Sequence, residues 1–183
     1  MTSGLSTTSY ALLGLLVFDR ESAEGGMTGY EMKQRADNTL RFYWVSPAMS
    51  QIYTELERLD QRGYVASTEV EDGKRTTRRF AITTSGRTAL NEWLRKPVDE
   101  FLVLKHPIAL RLMLGSLMEP DEVRRLLDGY LDQLAVRRRE LEAVRELLAD
   151  REEVRFPARV ADWGLAYYDS EAEIVDRLRK NLD

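Results

Sequence analysis

Hydrogen-bonding side chains recur at helical spacing between residues 50 and 58. Residues three and four apart share one face of a helix, so these side chains would form a single polar surface. Hydroxyl, amide and guanidinium groups bind base edges and phosphates, and the amide of Gln51 could pair with adenine through two hydrogen bonds. The polar face consists of Ser50, Gln51, Thr54 and Arg58, and the opposite, apolar face of Met49, Ile52, Tyr53, Leu56 and Leu59. The pattern predicts a DNA-reading helix with an apolar underside.

Four basic residues stand close together a short distance further along the chain. Lys74, Arg75, Arg78 and Arg79 lie within six residues, with no acidic residue among them. The surrounding sequence is typical of two strands joined by a turn at residues 71–74. A hairpin tipped with cations could lie against the DNA backbone or in the minor groove, where each neutralised phosphate adds to the salt dependence of binding. The alternative is a solvated, charged edge strand that prevents extension of the sheet.

Capping and turn residues divide the first 97 residues into elements of predictable type. Ser or Thr at candidate N-caps marks helix starts, and a change to two-residue alternation marks the strands. The predicted elements are a helix capped by Thr7 or Thr8, a helix from Thr28 (in a capping box with Glu31) to about Thr39, a helix from Ser46-Pro47 to about Arg62 that Gly63 ends, strands Tyr64–Val70 and Arg75–Thr83, and a helix capped by Thr84 or Ser85 that ends near Arg95. This order predicts a winged helix-turn-helix domain over residues 1–97.

The second half of the chain, residues 98–183, is predicted to be helical. Apolar side chains recur every three or four residues from Val123 to Leu148 and again from Val160 to Leu178, with the charged segment 150–155 between them. Two long amphipathic helices with a short connection form an antiparallel hairpin. Because the apolar stripes are wider than one partner helix covers, we expect a second copy of the chain to bind there. The predicted fold class is mainly α, with an N-terminal winged helix and a C-terminal α-helical dimerisation or effector domain.

Two features of the C-terminal half are candidates for further roles. Trp163, Tyr167 and Tyr168 could form a pocket for a planar aromatic effector, or they could be core or interface packing. Arg137 occupies a position of the apolar seam. A charge there needs a partner, for example Asp162 or Glu173, and could fix the register of the helices.

Charge and composition restrict the classes of function. The net charge is −4, yet residues 1–97 carry 13 Lys and Arg against 12 Asp and Glu, so the acidity lies in the C-terminal half. There is no cysteine, and the one histidine, His106, precedes Pro107 and is interpreted as a helix-start residue. Without a cluster of metal ligands or a paired nucleophile, we expect no enzyme, no metal and no cofactor. Without a basic leader or a membrane-length apolar run, we expect a cytoplasmic protein.

Several segments of the sequence resemble the PadR family of transcriptional regulators. The resemblance depends on the order and spacing of these segments together, because no single motif is decisive. It covers Tyr10–Leu16, Gly29–Met32, Ser50–Val65, and Phe80–Gly86 with Leu90, and residues 104–178 are similar to the helical C-terminal domain of the subgroup named for virulence activators.

The resemblance implies a repressor, or less often an activator, that binds a pseudo-palindromic site in double-stranded DNA as a homodimer. Matched residue by residue, Tyr53 takes the place of a tyrosine on the DNA-facing helix, and Lys74 and Arg75 take the basic wing tip. The ring of such a tyrosine can be buried while its hydroxyl reaches a phosphate. Family regulators of phenolic-acid metabolism sense small aromatic molecules. The alternative function is a winged helix that binds a protein partner and no DNA.

Overall fold

The computed structural model describes residues 4–18, 25–42, 44–72, 75–98, 105–148 and 151–182. The chain divides into two compact units, residues 1–100 and 101–183. The first unit contains α1 (Thr7–Val17), β1 (Met27–Thr28), α2 (Gly29–Thr39), α3 (Met49–Gln61), β2 (Val65–Asp72), β3 (Arg75–Ile82) and α4 (Thr84–Arg95), and the second contains α5 (Pro107–Met113), α6 (Pro120–Leu148) and α7 (Arg155–Lys180). None of these helices is both long enough and apolar enough to cross a bilayer.

The caps of α1 and α4 each lie one residue before the predicted position. Ser6, and not Thr7 or Thr8, caps α1, and its hydroxyl oxygen accepts the backbone N–H of Ser9 at 3.0 Å. Thr83, rather than Thr84 or Ser85, caps α4 by accepting the N–H of the residue three positions on. In runs of Ser and Thr, the sequence identifies the presence of a cap but not which hydroxyl reaches the third N–H.

The helix-turn-helix pair, α2 and α3, begins in two different ways. The predicted capping box of α2 is present: Glu31 N–H donates to the Thr28 hydroxyl at 3.1 Å, and the Glu31 carboxylate accepts the Thr28 N–H at 2.7 Å. The predicted start of α3 at Ser46 is wrong, because the helix begins only at Met49. The Ser46 hydroxyl instead donates to Asp37 of α2 at 2.5 Å, so it closes the turn between the two helices.

Strands β2 and β3 form the predicted hairpin and pair along their full lengths. The residues between them, Gly73 and Lys74, lie outside the described residues. A strand that was not predicted, β1, pairs with the other side of β3, with Met27 opposite Phe80, and gives the sheet order β1-β3-β2. Two residues are too few to show strand alternation in a sequence. Their pairing brings the start of α2 beside the hairpin.

The core of the first unit lies between α1, α2, α3 and the sheet. Its fully or almost fully buried members are Leu12, Leu13, Met32, Ile52, Leu56, Leu59, Val65 and Phe80. Two glycines shape its edge. Gly63 ends α3 with a φ of +70°, a left-handed conformation that favours glycine. A Cβ at Gly86 would lie 2.1 Å from the backbone oxygen of Tyr64, so only glycine allows α4 to approach the sheet this closely.

In the second unit α6 and α7 form the predicted hairpin. Ion pairs of Arg138 with Asp169 at 2.6 Å and of Arg145 with Asp162 at 2.7 Å link the two helices in antiparallel order. The expectation that Arg137 is a seam residue paired with α7 is wrong. Arg137 is exposed and pairs with Glu140 of its own helix at 3.2 Å, so its charge is not buried between the two helices.

Candidate nucleic-acid interface

The first half of α3 presents an exposed polar surface at its predicted position. Ser50, Gln51 and Thr54 are all exposed, and the side-chain amide of Gln51 makes no hydrogen bond to another described residue. The Thr54 hydroxyl donates to the carbonyl of Ser50 at 2.9 Å. Because that bond uses the only proton of the hydroxyl, the Thr54 side chain offers oxygen lone pairs and a methyl group outward. This set can accept from an exocyclic amine or contact a thymine methyl, while Gln51 can both donate and accept.

Tyr53 lies at one border of this surface and not in the apolar underside where helical spacing placed it. Its side chain is 43% exposed. The ring lies over the first residue of α2, since a Cβ built at Gly29 would be 2.6 Å from ring carbons and 2.9 Å from the hydroxyl oxygen. The tyrosine therefore packs on one side and presents its hydroxyl at the rim, beside the start of α2.

Arg58 lies near the other border, close to a buried acidic residue. Its Nη1 donates to Glu55 Oε1 at 2.8 Å, while its side chain remains 43% exposed. Glu55 points into the protein, although the sequence pattern placed no acidic residue among the buried positions of α3.

The C-terminal end of α3 is joined to the hairpin through Arg78. The Arg78 guanidinium donates to Asp60 at 2.6 Å and to the Ser67 hydroxyl at 2.9 Å, and it lies 5.0 Å from the centre of the Phe80 ring. Arg78 is thus a brace between α3 and the sheet and does not belong to the hairpin tip. Strand alternation could have revealed this, because Arg78 shares a face with the buried Phe80.

Arg79 also points away from the hairpin tip. Its guanidinium donates to the carbonyl of Gly26 at 2.8 Å and lies 3.3 Å from the Glu31 carboxylate of the α2 capping box. Burial favours a raised pKa for Glu31, but the bonds from Thr28 and the Arg79 charge outweigh it and hold the pKa below its ordinary value. Arg79 thereby fastens β1 and the start of α2 to the hairpin.

The remaining two predicted cations follow β2 in the sequence. Lys74 lies outside the described residues, and Arg75 begins β3 opposite Asp72, with its side chain likewise outside the described part. Of the four basic residues in the sequence run, two therefore brace the fold and two stay predictions for the wing tip.

The three aromatic residues of α7 do not share one pocket. Trp163 is 72% exposed and Tyr167 46% exposed, one helical turn apart on the outer face of α7. Tyr168 makes an edge contact with Tyr167, with ring centres 6.0 Å apart, but it turns towards α6. There it lines an open groove together with Tyr130, Gln133 and Arg137, among others.

A polar cluster at the start of α5 was missed by sequence reasoning. His106 caps α5 as predicted, with Nδ1 accepting the Ala109 N–H at 3.1 Å, so its proton lies on Nε2. The Nε2 atom lies 2.6 Å from Oε1 of Glu171 in α7 and 3.0 Å from the hydroxyl oxygen of Tyr130 in α6. Burial, then the Glu171 charge, raises the pKa of Tyr130. The cluster fastens the start of α5 to both long helices.

The chain is similar to known regulators over most of its length. Residues 22–92 match the transcriptional regulator PadR-like family. A negative transcriptional regulator, PadR of Bacillus subtilis, is 30% identical over 135 residues, which are 72% of this chain and 68% of that protein.

Solved structures share the fold. Bacillus subtilis PadR in complex with operator DNA superposes with a TM-score of 0.83 and 22% identity, over 97% of this chain and all of that one. The same protein in complex with p-coumaric acid gives 0.73 at 22% identity, over 96% and 94% of the two chains. The Vibrio cholerae virulence activator AphA gives 0.70 at 18% identity, over 95% and 96%. The chain belongs to the PadR family, whose members are transcriptional regulators and not enzymes.

Proposed function

We propose that this protein binds a pseudo-palindromic site in duplex DNA as a homodimer and represses transcription from it. The observation that carries the proposal is the exposed first half of α3, where Ser50, Gln51 and Thr54 face outward. A recognition helix reads base edges with its N-terminal half. Tyr53 at one border and Arg58 at the other would contact phosphates, and Lys74 and Arg75 would contact the backbone from the wing tip.

Similarity to a regulator bound to its operator supports DNA as the partner. Repression as the direction of control rests on the negative regulator with which this chain shares 30% identity. The braces within the first unit support a joint approach of α3 and the hairpin to one duplex. Arg78 links α3 to β2 and β3 through Asp60 and Ser67, so the helix and the hairpin are joined at the C-terminal end of α3.

The outer face of α7 supports a homodimer. Large apolar side chains are exposed there at helical spacing, and they are Phe156, Trp163, Tyr167, Ile174 and Leu178. The opposite face of α7 is already buried, at Ala158, Ala161 and Val175. An exposed apolar stripe of this length marks an interaction site, and a second copy of the same helix would cover it through a two-fold contact.

A binding-site selection followed by a salt titration tests the proposed function. The full chain is incubated with a random-sequence duplex pool, bound duplexes are enriched, and the dissociation constant of the best duplex is measured between about 50 and 200 mM salt. We expect two inverted half-sites and a loss of affinity of roughly 10- to 1,000-fold over that range, as counterions return to the DNA. No enrichment, or an affinity that does not change with salt, would contradict the proposal.

A winged helix that binds a protein partner is the second candidate function. It is favoured by the engagement of Arg78 and Arg79 with groups of the fold, which removes two of the four predicted wing cations from the tip. The net charge of −4 favours it as well. The salt titration separates the two functions, because a protein-binding module would show only weak affinity for duplex DNA at any salt concentration.

We infer that a planar aromatic acid releases the DNA by binding in the α6 groove. The groove offers the rings of Tyr130 and Tyr168 to an aromatic ligand and Arg137 to a carboxylate. The relative that binds p-coumaric acid supports this ligand class. With p-coumaric acid as the probe, we expect the DNA complex to dissociate, and Arg137→Ala to raise the required concentration about tenfold. A complex unchanged at millimolar p-coumaric acid would contradict the inference.

A further inference from the structure

Among the described residues of the first unit, Glu55 is the one buried acidic side chain, and it lies at the underside of the predicted DNA-reading helix. Glu55 is 7% exposed and Ser9 only 1% exposed, and they are the two buried polar or charged residues of the described chain. They contact each other, because the Ser9 hydroxyl donates to Glu55 Oε2. A buried carboxylate is costly unless donors satisfy it, so its surroundings indicate what it does.

Three donors from two helices satisfy the Glu55 carboxylate. Oε2 accepts the hydroxyls of Ser9 and, at 3.1 Å, of Ser6, while Oε1 accepts Nη1 of Arg58 at 2.8 Å. Ser6 is also the N-cap of α1, since its oxygen accepts the Ser9 N–H. The carboxylate therefore joins the first turn of α1 to α3 on one oxygen and holds a guanidinium with the other.

The charge of Glu55 is stabilised by this arrangement. Burial alone would raise the pKa of its carboxyl, but the hydroxyls of Ser9 and Ser6, together with Arg58, hold the pKa below its ordinary value. The positive end of the α1 dipole adds to the stabilisation, because Ser6 is the N-cap of α1 and Ser9 lies in its first turn. Glu55 is thus an anion at neutral pH and remains a partner for Arg58.

The position of Glu55 on α3 relates it to the polar surface. It lies four residues after Gln51 and three before Arg58, so all three follow one border of that surface. Arg58 gives one N–H to Glu55 and makes no hydrogen bond with its other four to a described residue. A long side chain held at one atom keeps fewer rotamers and loses less entropy when its free donors bind a phosphate.

We propose that Glu55 is a positioning residue for DNA binding, which directs the Arg58 guanidinium to a phosphate beside the DNA-reading surface. The proposal rests on the proposed DNA-binding function. Oε2 has a structural role, because without it the buried Ser9 hydroxyl would lose its acceptor. The hydrogen bond that the structure describes at Oε1 is the one from Arg58, so the role of this second oxygen is to hold the guanidinium.

Four variants test the proposal on a duplex that the wild-type chain has selected. Glu55→Gln keeps a carbonyl acceptor for the two serines but turns an amide towards Arg58, and Arg58→Ala removes the guanidinium. The double variant completes a cycle. Glu57→Gln is the matched control, because it removes the same charge from an exposed position two residues away. All are measured at a temperature at which circular dichroism shows each variant to be folded.

We expect Glu55→Gln and Arg58→Ala each to weaken binding about tenfold and to lower the slope of log Kd against log salt by about 0.9, the value for one lost phosphate. The double variant should bind within about twofold of Arg58→Ala, because both changes remove the same contact. Glu57→Gln should leave the slope unchanged.

Other results would overturn the proposal. Losses that multiply in the double variant, or a Glu55→Gln protein that behaves like Glu57→Gln, would show that Glu55 does not act through Arg58. Tighter binding by Glu55→Gln would show that its charge merely repels phosphate. A wild-type chain that selects no duplex would instead overturn the proposed function itself, and the proposal with it.

Discussion

Replacement of both Trp163 and Ile174 by aspartate is expected to give a monomer that binds the selected duplex at least ~100-fold more weakly than the wild-type protein. Both side chains are exposed on the outer stripe of α7, one on each side of Tyr167. In the proposed dimer they are covered by the second copy, where a carboxylate would lose its water without gaining a partner. Two half-sites are then no longer bound by one particle, so the gain from simultaneous contact is lost.

Sedimentation gives the mass of the variant, and a duplex titration gives its affinity. Ala135→Asp serves as the control, because Ala135 is exposed on α6 between Asp132 and Arg139, where a further carboxylate meets water. The control should remain a dimer with wild-type affinity. A double aspartate variant that is still dimeric would show that α7 does not form the dimer contact. A wild-type protein that is monomeric at micromolar concentration would contradict the proposed homodimer itself.

Replacement of Gln51 by alanine is expected to remove preference at one base pair while leaving binding to random duplex unchanged. The exposed amide can donate and accept at one adenine, and such a bidentate contact discriminates by about 1–3 kcal/mol, or roughly 5- to 150-fold in affinity. Competition of the selected duplex against single-base variants measures the effect. At one position in each half-site, the selected duplex and its single-base variants should bind Gln51→Ala with nearly equal affinity.

Gln61 provides the matched control for this experiment. It is an exposed glutamine at the other end of α3, and the C-terminal half of a recognition helix lies away from the bases. Gln61→Ala should keep the wild-type preference at every position. A Gln51→Ala protein that loses affinity equally for all sequences would place Gln51 at the backbone and not at a base edge.

The order of the winged-helix elements could be predicted from the sequence because each element is marked by residues close together in the chain. The Thr28–Glu31 capping box, Gly63 and the hairpin alternation each involve residues a few positions apart, and all three are present in the structure. The outward face of α3 follows from helical spacing in the same way. Errors of one to three residues at helix starts arose where several hydroxyl residues, or a Ser-Pro pair, offered competing caps.

The contacts that organise the site were beyond the sequence because their partners are far apart along the chain. Glu55 reads as an outward side chain since its donors, Ser6 and Ser9, precede it by more than 40 residues. Arg79 likewise finds Gly26 across β1, a strand too short to predict. A charged side chain whose hydrogen bonds are made inside the fold can be buried, so the assumption that polar residues are exposed fails there.

The second half shows the same division between local and distant information. Helical periodicity predicted the α6–α7 hairpin, whereas it placed Arg137 in the seam, although the helix turns that side chain to solvent. For the three aromatic residues the sequence left a shared pocket and core or interface packing as alternatives. Neighbours on a helix diverge, so Trp163 and Tyr167 share the outer face and Tyr168 lies towards α6. The spacing of apolar residues showed that α7 carries an apolar stripe. Only the fold showed which apolar residues of α7 stay exposed for a second copy to cover.

A hydroxyl-radical footprint of the wild-type protein on its selected duplex tests most directly whether two recognition helices bind one DNA molecule together. Two protected segments of the backbone, related by two-fold symmetry and about 10–10.5 base pairs or a multiple of it apart, are the predicted result. A single protected segment, or protection spread evenly over the duplex, would contradict a paired reading of DNA by α3.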